Sequence, residues 1–218
     1  MLTKSINMTK ELQEYLLRHN PGLEDELLKL IDTTDSMKYG RLRSPTEQIH
    51  FILFLIKLLK PKSILEVGTF TGCTTLAMAL VMGEKAKIVT CDINAVFPKI
   101  GIPYWERAGV MNRIKLMLGP ATNTLDQLIK ANQLFDFIYI DADKENNLSY
   151  LNLGLDLLEP NGLIIVDNTL VNGEVTNIVS NNTKAMALRK FNTEVKNYPN
   201  IDYCLTPLCD GITLIKKK

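Results

Sequence analysis

From residue 63 onward, short apolar runs alternate with helical segments, and this alternation limits the possible folds more than any other feature of the chain. Seven runs have the length and composition of strands: Ser63–Val67, Lys87–Cys91, Arg113–Met117, Phe135–Ile140, Gly162–Val166, Ile201–Thr206 and Ile212–Lys216. Short apolar runs bounded by turn residues predict buried strands. Strands that alternate with helices form parallel sheets covered on both faces. We therefore expect an α/β fold with a mostly parallel, seven-stranded sheet and an antiparallel terminal strand.

Helical patterns occupy the first third of the chain and the intervals between the strands. The predicted helices are Thr9–Arg18, Leu23–Ser36, a third beginning at Pro45, Thr74–Val81, Trp105–Ala108, Thr122–Ala131, Asn147–Leu158 and Lys184–Asn197. Ser44 is expected to cap the third helix, with Pro45 at its first position. No linker or repeat interrupts the pattern, so residues 1–218 are predicted to form one domain, with N-terminal helices over 1–60 and the sheet over 61–218.

Composition argues against several classes of partner. The net charge is +1 and both signs are interspersed, whereas a nucleic-acid partner would require a basic face. The most apolar stretch, Phe51–Leu59, is too short to cross a membrane. No apolar signal precedes Lys10, and the four cysteines show no CxxC spacing. We expect a cytoplasmic chain with reduced cysteines that acts on a small molecule.

The first strand runs into a tight turn with glycines at 68 and 72, and a helix follows. The dinucleotide fingerprint GxGxxG needs a glycine where Phe70 stands. Glu66, two residues before Gly68, is unsuited to a pyrophosphate but suits a ligand with a cationic head. The turn therefore favours S-adenosylmethionine, although a glycine loop that only reverses the chain is the alternative.

Asp92 ends the second strand, and Gly119-Pro120-Ala121 follows the third. A carboxylate at the tip of the second strand is placed to accept hydrogen bonds from both hydroxyls of a ribose. NAD-binding folds use the same arrangement, so Asp92 indicates a nucleoside without identifying it. The backbone near Ala121 is placed to cover an adenine.

Acidic and amide side chains follow the fourth and fifth strands. Asp141 ends one strand, and Asp167 and Asn168 end the next. The carboxyl ends of parallel strands meet at one edge of the sheet, where open α/β folds bind their ligands. Three oxygen ligands on adjacent strands are typical of a magnesium or calcium site. The alternative is that these are solvated loop acids or helix caps.

Several motifs together resemble the cation-dependent O-methyltransferases. These motifs are Ile64–Thr74, Tyr139–Lys144 and Asp167–Leu170, and the resemblance runs from about Leu42 to Lys216. The family includes caffeoyl-CoA O-methyltransferases, their bacterial relatives and, more distantly, catechol O-methyltransferase; this chain is most similar to the bacterial type. The resemblance implies a Rossmann-like methyltransferase fold and a homodimer built partly through the N-terminal helices.

The resemblance also implies roles for individual residues. Asp141, Asp167 and Asn168 match metal ligands, and Lys144 and Asp141 match catalytic positions, with Lys144 as the base. The positions that match cofactor contacts are Leu42, Ser44, Glu66, Gly68, Thr69, Thr74, Asp92, Ala121 and Asp141. The implied reaction moves a methyl group from S-adenosylmethionine to one hydroxyl of a small catechol-like molecule. The implied cation is magnesium, with calcium or manganese as alternatives.

Three departures from the family concern the acceptor and the third helix. Ile49 follows Gln48 where a glycine is usual, and Val171 stands where plant enzymes have a tryptophan. The stretch from Glu174 to Ala185 is also shorter than the plant substrate loop. These departures disfavour caffeoyl-CoA as the acceptor.

Three other functions remain open at this point. An NAD-dependent oxidoreductase would share the fold and Asp92, but it leaves the acidic strand ends unexplained. A methyltransferase acting on RNA or protein would require a basic face or a recognition domain. A non-catalytic cofactor-binding protein would not need Lys144, which on sequence alone could also be a solvated surface lysine.

Overall fold

The computed structural model describes residues 6–218. Its helices are α1 (Lys10–His19), α2 (Asp25–Asp35), α3 (Thr46–Leu59), α4 (Cys73–Val81), α5 (Pro98–Arg107), α6 (Ala121–Lys130), α7 (Asn147–Leu157) and α8 (Thr183–Asn197). Its strands are β1 (Ser63–Val67), β2 (Lys87–Asp92), β3 (Ile114–Leu118), β4 (Phe135–Ile140), β5 (Leu158–Asp167), β6 (Ile201–Thr206) and β7 (Ile212–Lys217).

The strands form one seven-stranded sheet in the order β3-β2-β1-β4-β5-β7-β6. Strands β1 to β5 pair in parallel, and β7 runs antiparallel to both β5 and β6. The predicted α/β fold, with an antiparallel last strand, is therefore confirmed. Because the strand order reverses between β1 and β4, ligands are expected at the carboxyl ends of these strands.

Both faces of the sheet are covered by helices. Along β1, Ile64 packs into the cluster under α2, α3 and α4, whereas its neighbour Leu65 packs into the cluster under α6, α7 and α8. Successive side chains of a strand point to opposite faces, so β1 and β4 must be apolar almost throughout to be buried on both. Strands that are buried on both faces hold the residues at their carboxyl ends in fixed positions.

Several predicted boundaries are corrected by the structure. Pro45, not Ser44, is the N-cap of α3, because the Ser44 hydroxyl instead bonds to the buried Tyr139 hydroxyl at 3.0 Å. Helix α5 begins at Pro98, well before the predicted Trp105, since proline at a first helical position preorganises the turn. Strand β5 begins at Leu158 because Leu158 pairs with Phe135 ahead of the irregularity in β4.

Two further expectations concern the chain as a whole. All four cysteines are free, as expected for reduced thiols. Within residues 6–218, no helix combines the length and apolar character needed to cross a membrane.

Candidate active site

An open cavity of about 1110 Å³ lies at the carboxyl ends of β1, β2, β4 and β5. Single small-molecule sites usually occupy roughly 300–1,000 Å³, so this cavity has room for a cofactor and a second molecule. Most residues predicted for the site line it: Leu42, Ser44, Gly68, Thr69, Thr74, Asp92, Ala121, Asp141, Lys144, Asp167 and Asn168. The structure thus gathers predicted positions from across the sequence into one space.

Both glycines of the β1 turn have positive φ angles, and each faces a specific neighbour. A Cβ on Gly68 would lie 2.0 Å from the backbone oxygen of Asp141, so this glycine lets the turn touch the end of β4. A Cβ on Gly72 would lie 2.2 Å from the ring of Trp105, which is fully buried. Gly72 therefore lets the turn pack against a side chain of α5.

Asp92 organises the β1 turn through its backbone amides. Its Oδ2 accepts hydrogen bonds from the amides of Thr69 at 3.1 Å and Phe70 at 2.7 Å, and its Oδ1 accepts one from Asn94 at 2.7 Å. A carboxylate has about four acceptor positions, so capacity for a ligand remains. Asp92 lies in the cavity as predicted. Its hydrogen bonds to the backbone of the β1 turn were not predicted from the sequence.

The structure places Glu66 beneath the turn and not in the cavity wall. Its side chain is 1% exposed, and Oε2 accepts hydrogen bonds from Thr90 at 2.6 Å and from Thr75. Its Oε1 is buried and has no partner within residues 6–218. Burial raises the pKa of Glu66 to about 8, so the carboxyl is largely protonated at neutral pH. The prediction that Glu66 is an anion facing the cationic head of the cofactor is not supported by this buried position.

The acidic end of the cavity contains Asp141, Asp167 and Asn168, as predicted. Asn168 adopts a left-handed backbone conformation with φ 57°, which asparagine tolerates, and this turns the chain directly after β5. Burial, followed by the charge of Asp141, raises the pKa of Asp167 to about 7. The two carboxylates are therefore close enough to repel each other.

Lys144 supplies the nearest positive charge at the acidic end. Its Nζ lies 2.8 Å from Oδ1 of Asp141 in an ion pair that is largely shielded from solvent. Burial lowers the pKa of Lys144, but the charges of Asp141 and Asp167 outweigh burial, so the net pKa is raised. Lys144 therefore holds its proton in the chain by itself.

A chain of buried hydrogen bonds that was not predicted from the sequence lies behind the acidic end. Thr74 donates to Ser44 at 3.1 Å, and the Ser44 hydroxyl meets that of Tyr139 at 3.0 Å. Tyr139 then donates to Oδ2 of Asp167 at 2.7 Å, and Gln48 donates to the same oxygen at 2.6 Å. The available signal was a glutamine within the apolar α3 and a tyrosine within the apolar β4.

The residues at the acidic end suit a hard divalent cation in donor chemistry and in charge. Two carboxylates and one amide offer oxygen ligands, and a single lysine leaves negative charge in excess. Within residues 6–218, no three side chains drawn from histidine, cysteine, aspartate and glutamate form a cluster of their own. Asn168, the third predicted ligand, is not one of those four residue types. The metal site at Asp141, Asp167 and Asn168 therefore stays a prediction.

The sheet order and the position of the cavity are those of a Rossmann-like α/β fold. A family model described as O-methyltransferase matches residues 19–218, and the chain belongs to that family. Catechol O-methyltransferase domain-containing protein 1 of Mus musculus is 36% identical over 208 residues, which cover 94% of this chain and 79% of the mouse protein. Caffeoyl-CoA O-methyltransferase 5 of Nicotiana tabacum is 32% identical over 230 residues, covering 98% and 94%.

Among solved structures, the SAH-bound methyltransferase PaMTH1 of Podospora anserina has a TM-score of 0.89 and 28% identity, and covers all of both chains. The chain is thus an S-adenosylmethionine-dependent O-methyltransferase, and the predicted family and the predicted use of S-adenosylmethionine are confirmed. An NAD-dependent oxidoreductase and a non-catalytic binding protein are set aside.

Proposed function

We propose that this O-methyltransferase methylates one hydroxyl of a small catechol-like molecule in a reaction that requires a divalent cation. The observation that carries this proposal is the pair of carboxylates, Asp141 and Asp167, at adjacent strand ends in the same cavity. Within residues 6–218, Lys144 pairs with Asp141 only, so a divalent cation beside the cofactor space would offset the charge that the two carboxylates carry together.

The cation would be held by Asp141, Asp167 and Asn168. When bound, a divalent cation favours the ionised form of a hydroxyl and can be chelated by two adjacent oxygens. Hard oxygen ligands favour magnesium, with manganese or calcium as alternatives. A vicinal diol is therefore the acceptor that this donor set suits best.

The other end of the cavity would hold S-adenosylmethionine, whose sulfonium supplies the methyl group for in-line displacement. Gly68, Thr69 and Asp92 form its floor, and Ala121 begins α6 beside them. Leu42 and Ser44, just before α3, also line the cavity, and the Ser44 hydroxyl bonds to Tyr139, a partner of Asp167. Fixing both reactants in one cavity can contribute roughly 7–11 kcal/mol in favourable cases.

In this proposal, Lys144 would accept the acceptor's proton. Its ion pair with Asp141 keeps Nζ at the acidic end, within the same cavity. Lys144 becomes available as a base only when the charges of Asp141 and Asp167 are offset, because these carboxylates raise its pKa. The base role and the cation requirement are therefore linked.

A homodimer is also proposed, as the family resemblance implies. Phe54 and Leu58 on α3 are each 65% exposed, and Leu59 lies beside them. Burial of these side chains against a second copy would account for their exposure. Light scattering at increasing protein concentration tests this, and a monomer throughout would contradict it.

The acceptor class is tested with purified full-length protein, S-adenosylmethionine and magnesium. Catechol, phenol and 2-methoxyphenol form a matched series that differs in the second oxygen and its proton. We expect methyl transfer to catechol to exceed transfer to phenol by at least about 100-fold, because phenol cannot chelate. Equal rates on catechol and phenol would refute the vicinal-diol proposal.

A further inference from the structure

Gln48 is a buried amide in a helix whose other buried side chains are apolar. It is 0% exposed and lies beside Ile49 and one turn before Ile52 on α3. Burying an amide costs free energy unless it is hydrogen-bonded. Its Nε2 donates to Oδ2 of Asp167 at 2.6 Å and to the Tyr139 hydroxyl at 2.9 Å, while its Oε1 has no partner in the part of the chain described here. All the hydrogen bonding of Gln48 is thus directed at this carboxylate and its partner.

The side-chain hydrogen-bond donors around Asp167 are all aligned toward its Oδ2 atom. Tyr139 has one hydroxyl proton and gives it to Oδ2 of Asp167, so it accepts from Gln48 and from Ser44. Ser44 in turn accepts from Thr74. Hydrogen bonds that are aligned in series polarise one another, so each strengthens the next. The chain therefore converges on one carboxylate oxygen.

The second oxygen of Asp167 is held differently. Oδ1 accepts a hydrogen bond from the backbone amide of Asn168 at 2.6 Å. With two side-chain donors on Oδ2 and one amide on Oδ1, the carboxylate cannot rotate without losing hydrogen bonds. Its orientation at the acidic end is therefore set by Gln48 and Tyr139 together with the backbone.

We propose that Gln48 and Tyr139 are positioning residues that orient the Asp167 carboxylate and so strengthen divalent-cation binding at the acidic end. The inference rests on the proposed function, because it assumes that Asp167 is a cation ligand. Partners of this kind typically change metal affinity by about 10- to 100-fold when they are removed. Gln48 does not line the cavity, whereas Tyr139 does and also bonds to Ser44. Cofactor affinity should therefore depend on Gln48 much less than Mn²⁺ binding does.

The test measures manganese binding to the full-length protein without cofactor or acceptor, from the magnetic resonance signal of free Mn²⁺. Gln48→Met keeps the side-chain length and removes the donor, and Tyr139→Phe removes the other donor while keeping the ring. We expect each to weaken Mn²⁺ binding about tenfold or more, with SAH affinity changed by less than about twofold in Gln48→Met. Gln13→Met is the matched control, because the Gln13 amide bonds to Glu47 at 2.9 Å and does not contact Asp167.

Each outcome either supports or overturns the positioning role of Gln48 and Tyr139. Weaker Mn²⁺ binding with unchanged SAH affinity and unchanged circular dichroism supports the inference. Wild-type Mn²⁺ affinity in Gln48→Met overturns it, as does an equal loss of Mn²⁺ and SAH binding, which indicates a general structural role. If Gln48→Met does not fold, Tyr139→Phe decides: a larger loss of Mn²⁺ binding than of SAH binding supports the inference, and an equal loss or an unchanged Mn²⁺ affinity overturns it. Failure of the wild-type protein to bind Mn²⁺ overturns the inference and the proposed cation site together, which distinguishes that result from failure of the inference alone.

Discussion

The two ends of the cavity differ in how their polar groups are satisfied. At the glycine-turn end, Asp92 accepts three backbone amides, and Gly68 and Gly72 fit against fixed neighbours. At the acidic end, Asp141 and Asp167 share one lysine, and burial together with mutual repulsion raises the pKa of Asp167 to about 7. The first end is formed by the chain alone, whereas the second carries charge that an additional cation would offset.

This difference implies that the two ends can be damaged independently. Changes at the glycine turn should weaken cofactor binding or the fold, because that end is a preorganised scaffold. Changes at the acidic end should reduce turnover and leave cofactor binding largely intact. Single substitutions at each end test whether cofactor binding and turnover are lost separately.

The largest effect is expected for Asp141→Ala. It removes a proposed cation ligand and the partner of Lys144, and loss of several kcal/mol of charge stabilisation corresponds to about 1,000-fold in kcat. SAH binding, followed by calorimetry, should change by less than about fivefold. Asp156→Ala, an exposed aspartate on α7, is the control and should retain activity. A variant that loses SAH binding as severely as turnover would show that the ends are not separate.

Gly72→Ala should cause the largest loss of stability. The new methyl group would meet the Trp105 ring at 2.2 Å, and φ +77° is unfavourable for alanine. We expect the free energy of unfolding to fall by about 3 kcal/mol in urea titrations. Gly83→Ala has nothing within 4 Å of the added atom and should change stability by less than about 0.5 kcal/mol. Similar stability of the two variants would contradict the rigid turn.

Asp92→Ala should act mainly on the cofactor. It removes the acceptor of two backbone amides in the turn, that of the Asn94 amide and the proposed ribose contact, so the KM for S-adenosylmethionine should rise about 30-fold, or roughly 2 kcal/mol. The kcat at saturating cofactor should fall much less. Asp126→Ala on the exposed face of α6 serves as control. A loss confined to kcat would reverse the roles given to the two ends.

The smallest effect concerns Glu66 and depends on pH. Burial raises its pKa from an ordinary 4.5 to about 8, so the folded state binds the proton more tightly than the unfolded state. The resulting stabilisation is complete below the unfolded pKa and is lost as pH rises through about 8. Glu66→Gln cannot ionise, so its stability relative to wild type should improve between about pH 5 and pH 8.5, by something on the order of 2 kcal/mol.

Urea unfolding of both proteins at the two pH values measures this difference. Glu106→Gln, exposed on α5, should follow the wild-type pH dependence. A stability difference between Glu66→Gln and wild type that stays constant with pH would show that Glu66 is not a buried neutral acid.

Much of the fold followed from local patterns, and much of the site followed from strand ends. The bounds of β1, β4 and β6 were predicted because each is a short apolar run between turn residues. Asp141, Asp167 and Asn168 could be grouped because parallel strands end at one edge. Helix α5 was truncated in the prediction because Gly101 and Pro103 interrupt its helical pattern, although the structure accommodates both.

Contacts between distant segments were beyond prediction. Gln48 and Asp167 are far apart in sequence and meet only through packing of α3 against the sheet. The burial of Glu66 depends on Thr75 and Thr90 from two other elements. No local periodicity encodes such pairings, since they depend on how helices and strands approach one another.

The decisive measurement is the rate of methyl transfer to catechol by metal-free protein in excess EDTA, repeated after Mg²⁺ is restored, at saturating S-adenosylmethionine. If the acidic end works through a divalent cation, transfer should fall to the uncatalysed background in EDTA and return with Mg²⁺, while SAH binding persists throughout. Full activity in excess EDTA would show that Asp141 and Asp167 serve some purpose other than holding a cation.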